Sequence, residues 1–376
     1  MNEQVFRDYQ LVLPETVSAG TLVVQGARIA AIETRASFSS ASHKEYLLPG
    51  LIELHSDTLE NCAAPRPGVE WPLDLAVVHQ DRLLLSAGIT TACNALAIRD
   101  VPQSAPTAER VARLVGAVTR AQAAGRLMAD HCLHLRCELT CSSAPDVLEQ
   151  YLTHSSLLLV SLMDHRPGQR QFQSRTSLDR YYFGKYGMSS PEVDIFLKTG
   201  LLMEEEVDEN RHRIVAMAQS CACLLASHDD TTATHVQEAL QDGVCISEFP
   251  TTPEAAQSAR YHGLAVAMGA PNLALGGSHS GNLSSLEAAR SGLLTLLSSD
   301  YAPHSLLPAV FRLAQTLEIS LAAALKTVTQ VPAALLSMAE DRGSLEIGKR
   351  ADFITVRVDD SVPLITSVFV AGQRVA

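Results

Sequence analysis

The sequence predicts an α/β fold: a distorted (β/α)8 TIM-like barrel with a small composite β-sandwich domain built from the N- and C-terminal segments. Eight strand-like apolar runs alternate with segments long enough for helices, which is typical of a parallel barrel. The 376 residues suffice for one barrel of about 250 residues and one small domain. Both ends of the chain resemble short β-strands. We therefore expect a β-domain over residues 1–47 and 344–376 and a barrel over 48–343.

The apolar runs give the expected barrel strands in chain order. They are Leu47–His55, Gly88–Leu96, Cys132–Leu139, Leu157–His165, Cys223–His228, Val244–Phe249, Leu264–Met268 and Leu293–Ser298. Between them, Thr107–Ala124 has the clearest helical pattern, since its apolar residues recur at spacings of three and four. The acidic run Glu204–Glu206 is expected to lie on a solvated helix face.

The two ends of the chain carry the strands of the second domain. Thr21–Val24 and Arg28–Ile32 lie near the N-terminus, and Phe353–Val358 and Ser367–Val370 lie near the C-terminus. Each pair is too small to bury a hydrophobic core alone. We therefore expect the two ends to pair with each other.

Composition and charge exclude several classes of protein. The chain has 29 Lys and Arg against 41 Asp and Glu, a net charge of −12, which argues against non-specific binding to nucleic acid or to a membrane surface. No apolar run approaches the roughly 20 residues that span a bilayer. The start of the chain lacks the pattern of a secretory signal, and the eight cysteines form no C-x-x-C pair. These features predict a cytoplasmic protein with reduced thiols.

Two of the runs alternate ionisable and apolar side chains. Because successive side chains on a strand point to opposite faces, the ionisable ones are expected to share one face. They are Glu53, His55 and Asp57 in the first run, and His134, Arg136 and Glu138 in the third. Several ionisable groups in a row inside a barrel are costly to bury without partners. They therefore indicate a functional site, which in such barrels lies at the carboxyl ends of the strands.

Three further runs end in His or Asp. These residues are Asp164-His165, His228-Asp229 and Asp300. One such residue is more often structural than functional, but imidazoles and carboxylates gathered at one end of a barrel suit one or two divalent metal ions. Zn²⁺ suits this set best, and Mn²⁺, Fe²⁺ or Co²⁺ are also possible. A bound metal lowers the pKa of water towards 7 and thereby supplies a hydrolytic nucleophile.

Longer motifs carry a family resemblance. Leu48–Asp57 resembles the first-strand motif of the amidohydrolase superfamily, and Gly343–Asp352 resembles its closing motif. Over nearly its whole length the chain is similar to the diphosphatase family of the carbon–phosphorus lyase pathway. The matching segments include Pro65–Gly68, His134–Leu139, Ser161–His165, Pro167–Phe172, Ala226–Asp230, Glu248–Thr252, Met268–Asn272, Gly276–Asn282 and Ser298–Tyr301.

The resemblance implies an activity and a set of site residues. The activity is release of pyrophosphate from α-D-ribose 1-methylphosphonate 5-triphosphate, a small-molecule substrate. The implied metal ligands are His55, Asp57, Glu138, His165, His228 and Asp300. Asp300 would also be the catalytic general base, and Glu138 would replace the carboxylated lysine that bridges two metals in many amidohydrolases. Asp57 stands where a second histidine is commoner in the superfamily.

A triphosphate substrate also requires anion-binding groups. The candidates are Arg136, Arg170, Lys185, Ser278, His279 and Asn282. The Gly- and Ser-rich segment Gly276–Asn282 can turn its N–H groups towards phosphate, or it can be an ordinary turn. Arg136 is either a phosphate contact or a structural partner of a ligand carboxylate.

Two rival functions differ in class. One is an amidohydrolase that cleaves a C–N bond, such as a deacetylase or a cyclic amidase. The other is a non-catalytic scaffold, which is disfavoured because all six candidate ligand positions hold ligating residue types. The resemblance further implies a homodimer and a functional link to the other proteins of the carbon–phosphorus lyase pathway.

Overall fold

The computed structural model describes residues 3–35, 45–66, 68–102, 104–170, 175–200, 202–221, 223–276 and 282–376. Its strands are β1 Glu3–Val12, β2 Val17–Gln25, β3 Arg28–Arg35, β4 Glu45–Pro49, β5 Leu51–Ser56, β6 Ile89–Ile98, β7 Asp130–Glu138, β8 Leu157–Met163, β9 Leu224–His228, β10 Ile246–Glu248, β11 Ala265–Gly269, β12 Leu296–Ser298, β13 Phe353–Asp359, β14 Val362–Val370 and β15 Gln373–Arg374.

The α-helices lie mostly between the barrel strands. They are α1 Thr58–Ala63, α2 Leu73–Ser86, α3 Thr107–Ala123, α4 Ala144–Glu149, α5 Arg175–Tyr186, α6 Ser190–Gly200, α7 Glu204–Ser220, α8 Ala233–Gln241, α9 Pro253–Tyr261, α10 Ala270–Leu275, α11 Ser285–Arg290, α12 Leu306–Leu317, α13 Leu321–Leu325 and α14 Gln330–Leu335. As predicted, α3 buries its apolar face, and the acidic first turn of α7 is exposed.

The barrel confirms the predicted fold class. Strands β5 to β12 form an eight-stranded sheet in chain order, and every pairing between neighbours is parallel. A bridge between Ser56 and Asp300 brings the two ends of this sheet together, so the barrel is nearly closed. All eight predicted runs overlap a barrel strand.

The first predicted run is in fact two strands in different sheets. Its beginning belongs to β4, which pairs with β13, and its end belongs to β5, which pairs with β6. The chain crosses between the sheets at Gly50, where a Cβ atom would lie 2.3 Å from Thr90 Oγ1. The run is apolar on both sides of Gly50, so its hydropathy does not indicate where one strand ends and the next begins.

The predicted face alternation holds in β7 but is wrong in β5. In β7, Leu133 and Leu135 pack in the large cluster under the helices, whereas His134 contacts Ser161 and Arg136 donates to Asp57. In β5, Ile52 and Leu54 pack with lumen residues of other strands. The pairing of β5 with β6 shifts register before Ile52 and again after Glu53, and these irregularities break the strict period of two.

The terminal segments combine as predicted. One seven-stranded sheet has the order β15-β14-β13-β4-β1-β2-β3. Phe353 and Phe369 stack with centroids 4.4 Å apart, and Phe6 packs edge-on against both. Gln4 Nε2 donates to Gly372 O at 2.7 Å, which draws the start and end of the chain together. The bounds of the two domains stay a prediction.

The floor of the barrel contacts the tail of the chain. Inner residues of the strands pack with Ala333 and Leu336 at α14. Beside them, the Asp130 carboxylate accepts hydrogen bonds from Arg342 and Arg350. The tail of the chain therefore covers one end of the barrel, and the candidate site lies at the opposite end. Within the described ranges, we find no helix with the length and hydropathy needed to cross a bilayer.

Candidate active site

A cavity of about 260 Å³ opens at the carboxyl ends of the barrel strands. His55 and Arg136 reach it from β5 and β7, and His228 reaches it from the last residue of β9. His165 and Asp300 lie just beyond β8 and β12. The cavity therefore lies at the end of the barrel where the sequence pattern predicts a site.

The structure groups most of the predicted ligands into two clusters of potential donor atoms, with the atoms of each cluster within 4.8 Å of one another. One contains His55, Asp57 and Asp300, and the other contains His165, His228 and Asp229. The donor types, imidazole and carboxylate, are those that borderline divalent cations prefer.

One pair of buried atoms favours a cation at the second cluster. His228 Nδ1 and Asp229 Oδ2 are 2.8 Å apart, yet neither makes a hydrogen bond of acceptable geometry with any described residue. Buried polar atoms without such partners are rare in folded proteins. A metal ion would satisfy both, so the residues present fit the group that the sequence predicts.

Arg136 lies between the two clusters. Its Nη1 donates to Asp57 Oδ1 at 2.7 Å, and its Nη2 is 3.2 Å from His228 Nε2. Burial acts to lower the pKa of Arg136, but the Asp57 carboxylate outweighs it and raises this pKa. The guanidinium therefore stays charged beside the candidate ligands.

Glu138 contacts the site through His165. Its Oε2 lies 2.5 Å from His165 Nδ1, and its Oε1 accepts from His165 N at 3.0 Å. Burial acts to lower the pKa of His165, but Glu138 and Asp229 raise it to about 9. Glu138 is absent from the donor clusters, so its predicted bridging role stays a prediction.

A third donor cluster combines the predicted ligand His55 with two residues outside the predicted ligand set. It comprises His55, His134 and Glu248. Glu248 Oε1 lies 3.0 Å from His55 Nδ1, and Glu248 Oε2 accepts from Ser161 Oγ at 2.5 Å. Burial acts to raise the pKa of Glu248, but His134 and His55 hold it well below its usual range. Glu248 is the last residue of β10, so it lies at a strand end like the predicted ligands, and the sequence allows it either to orient or bind a metal or to cap a neighbouring helix.

The two histidines beside Glu248 differ in the direction in which their surroundings shift the pKa. Burial lowers the pKa of His134 to about 3, and His55 and Arg136 act in the same direction. Burial also acts on His55, but Glu248 raises its pKa to about 10. The pKa values of these two neighbouring histidines are therefore shifted in opposite directions.

Three of the last four barrel strands, β9, β10 and β12, are followed by a residue with left-handed backbone at their carboxyl ends. Asp229, Phe249 and Asp300 have φ of 58°, 54° and 54°. Such strain costs on the order of 1–3 kcal/mol per residue and is concentrated at functional sites. Burial, with Asp57 nearby, raises the pKa of Asp300 to about 6.

The predicted phosphate contacts have varied positions. Asn282 lines the cavity with Arg136. Arg170 is buried, donates to His228 O at 2.9 Å and pairs with Asp230, so it supports the end of β9. Other predicted contacts fall outside the described part of the chain: Ser278, His279 and the side chain of Lys185.

Arg99 also lines the cavity and was missed by the sequence analysis. It follows β6 directly, as a charged residue at a strand end. The sequence prediction of the site uses His and Asp residues at strand ends and does not consider cationic residues at the same positions.

Comparison with known proteins identifies the family. Residues 206–375 match the amidohydrolase family. The chain is 42% identical, over 99% of its length and 100% of the relative's, to the α-D-ribose 1-methylphosphonate 5-triphosphate diphosphatase of Escherichia coli strain K12. The chain belongs to this diphosphatase family, among the amidohydrolases. The resemblance given by its motifs is thereby confirmed.

Solved structures share the fold of this family member. A 5-methylcytosine deaminase from Klebsiella pneumoniae superimposes with a TM-score of 0.63 at 11% identity, covering 99% of this chain and 98% of the deaminase. An N-acetylglucosamine-6-phosphate deacetylase from Pasteurella multocida gives 0.58 at 15% identity, with both chains fully covered. At these identities the likeness concerns the fold alone.

Proposed function

We propose that this protein catalyses the metal-dependent hydrolysis of α-D-ribose 1-methylphosphonate 5-triphosphate to the 5-phosphate and pyrophosphate. The observation that carries the proposal is the 42% identity over the full length of a diphosphatase of that name. The cavity of histidines and carboxylates at the carboxyl ends of the strands supplies the chemistry that such a reaction needs.

The two clusters would hold one or two divalent ions, and Zn²⁺ suits their donors best. His55, Asp57 and Asp300 would bind at one position, and His165, His228 and Asp229 at the other. A bound ion would polarise a phosphoryl oxygen and acidify the attacking water.

Asp300 is the residue we assign as general base. Asp57 is held by Arg136, whereas the Asp300 carboxylate lies in the cavity without an ion pair to Lys or Arg among the described residues. Asp300 can therefore accept the proton of the water that attacks the α-phosphorus. Arg136 and Arg99 line the same cavity and would stabilise the negative charge that develops on the phosphoryl oxygens.

Location and assembly follow from the same proposal. We infer a cytoplasmic homodimer that acts beside the other enzymes of the carbon–phosphorus lyase pathway. All eight cysteines are free thiols, which suits a reducing compartment. Light scattering of the purified protein tests the dimer.

Phosphorus NMR of the products tests the function. Zinc-loaded protein should convert the substrate to pyrophosphate and the 5-phosphate. His228→Ala and Asp300→Asn should each lose at least 100-fold in kcat/KM, and His228→Ala should also lose bound zinc. Arg126→Ala, at an exposed position after α3, serves as the control. Orthophosphate release, or cleavage of an N-acetyl sugar or cyclic amide instead, would contradict the proposal.

A further inference from the structure

A second cavity, of about 510 Å³, adjoins the site. Asp57, Glu60 and Arg99 line both cavities, so the second one begins at the donor clusters. Its other walls come from the α1–α2 connection and from α3. A substrate with its reacting phosphorus at the clusters can therefore extend one arm into this space.

Two arginines of the second cavity are compensated by carboxylates. Arg110 Nη1 is 3.6 Å from Glu60 Oε1, and Arg113 Nη2 is 3.7 Å from Glu70 Oε2. Arg110 also donates to Ala97 O at 2.8 Å. The guanidinium groups of Arg110 and Arg113 are therefore already engaged by carboxylate and carbonyl groups of the protein.

The other two arginines, Arg66 and Arg99, form no ion pair with a carboxylate among the described residues. Arg99 donates to the hydroxyl groups of Tyr181 at 2.7 Å and Tyr186 at 2.6 Å. Its Nε is buried and has no hydrogen-bond partner in the described ranges. Arg99 lies where the cavities meet, and Arg66 lines only the outer one. Among the described residues, the outer cavity thus has one arginine without a carboxylate ion pair at its junction with the site and another on its own wall.

The same cavity has an apolar wall. Trp71 and Val69 line it with 52% and 42% of their surface exposed, and Leu114 and Met188 line it as well. A diphosphate has no apolar surface and gains nothing from such a wall. A pentose that carries an anionic group offers both a ring face for the indole and charge for the guanidinium.

We propose that the outer cavity binds the ribose and its C1 phosphonate, with Trp71 against the sugar and Arg66 on the phosphonate. This inference rests on the proposed function. The pyrophosphate arm then leaves through the metal cavity, on the side of Asn282. Arg66 is a specificity-determining residue that binds far from the reacting bond.

Kinetics with two substrates tests the role of Arg66. The full substrate and ribose 5-triphosphate differ only at C1, so the ratio of their kcat/KM values measures recognition of the phosphonate. In Arg66→Ala this ratio should fall roughly tenfold or more, mainly through KM, because one charge-assisted contact is lost. Arg126→Ala should keep the wild-type ratio. An equal loss for both substrates, or no loss, would overturn the inference.

The single tryptophan gives a second readout that needs no turnover. The product ribose 1-methylphosphonate 5-phosphate should change the emission of Trp71, and pyrophosphate should leave it unchanged. The reverse pattern would place the pyrophosphate arm in the outer cavity and overturn the inference. If the wild-type protein released pyrophosphate from neither substrate, the proposed function itself would fail.

Discussion

At the residue scale, the buried pair of Arg170 and Asp230 fixes the strand end that carries His228. Asp230 is fully buried and accepts hydrogen bonds from Ser227 and Ser247 as well as from Arg170. Arg170 in turn donates to the His228 carbonyl. These partners offset the desolvation cost of burying the Asp230 carboxylate. Removing its charge leaves the Arg170 guanidinium buried without a counter-charge.

Asp230→Asn should therefore lower the free energy of unfolding by about 3 kcal/mol, because it leaves the Arg170 charge buried and uncompensated. Urea unfolding measures the change. The matched control is Asp146→Asn, which breaks an exposed pair with Arg213 and should cost no more than about 0.5 kcal/mol. Equal losses of unfolding free energy in the two variants would show that the buried pair stabilises the fold no more than the exposed pair does.

Glu138→Gln tests how His165 is held. The neutral amide keeps the shape but loses the charge that orients and polarises the imidazole, so zinc affinity should fall roughly 10- to 100-fold. Zinc titration measures the affinity, with the exposed Glu149→Gln as the control. Unchanged zinc affinity would show that Glu138 neither orients His165 nor bridges metal ions.

At the element scale, α14 can pack against the barrel floor only because the residue beside it, Gly343, has no side chain. Gly343 has φ of 90°, and a Cβ there would lie 2.6 Å from Ala333 Cβ and 3.0 Å from Thr329 O. Gly125 also has positive φ, but it has open space around it. The two glycines therefore separate steric overlap from backbone strain.

Gly343→Ala should destabilise the protein by about 3 kcal/mol, since it adds overlap to strain, and Gly125→Ala by only about 1 kcal/mol. Thermal unfolding compares the two variants with the wild type. A Gly343→Ala protein as stable as Gly125→Ala would mean that α14 moves freely and does not pack as described.

The elements differ in how far sequence predicts them. Barrel strands and the helix α3 were predictable because burial leaves a pattern within each segment separately: an apolar run in a barrel strand and a helical period in α3. The break at Gly50 was not, since both sides are equally apolar and only the pairing of β4 with β13, about 300 residues away, separates them. The contacts of Glu138 with His165 and of Arg170 with Asp230 were also hidden, because these partners lie in segments that follow other strands.

At the scale of the whole molecule, the tail of the chain is tied to the barrel floor by charge. Asp130 at the start of β7 accepts from Arg342 and Arg350, which flank the last turn before β13. Burial acts to raise the pKa of Asp130, but Arg350 and Arg342 outweigh it and lower this pKa below its ordinary value of 3.8. The ionised form is thus the one that stabilises the fold.

Asp130→Asn should therefore cost about 1 kcal/mol at neutral pH, a modest value because the carboxylate is 39% exposed and screened by solvent. The contribution is present above pH 3.8 and is lost as the pH falls through the lowered pKa of the folded state. Denaturant unfolding at several pH values should show wild type and variant converging in acid. A gap that persists or widens there would contradict this account.

The position of bond cleavage tests the central claim most directly. Hydrolysis of the ribosyl triphosphate in oxygen-18 water, followed by mass spectrometry of both products, shows which phosphorus the water attacks. Attack at the α-phosphorus by water that Asp300 deprotonates predicts one oxygen-18 in the ribosyl 5-phosphate and none in the pyrophosphate. Label in the pyrophosphate, or in released orthophosphate, would contradict the account.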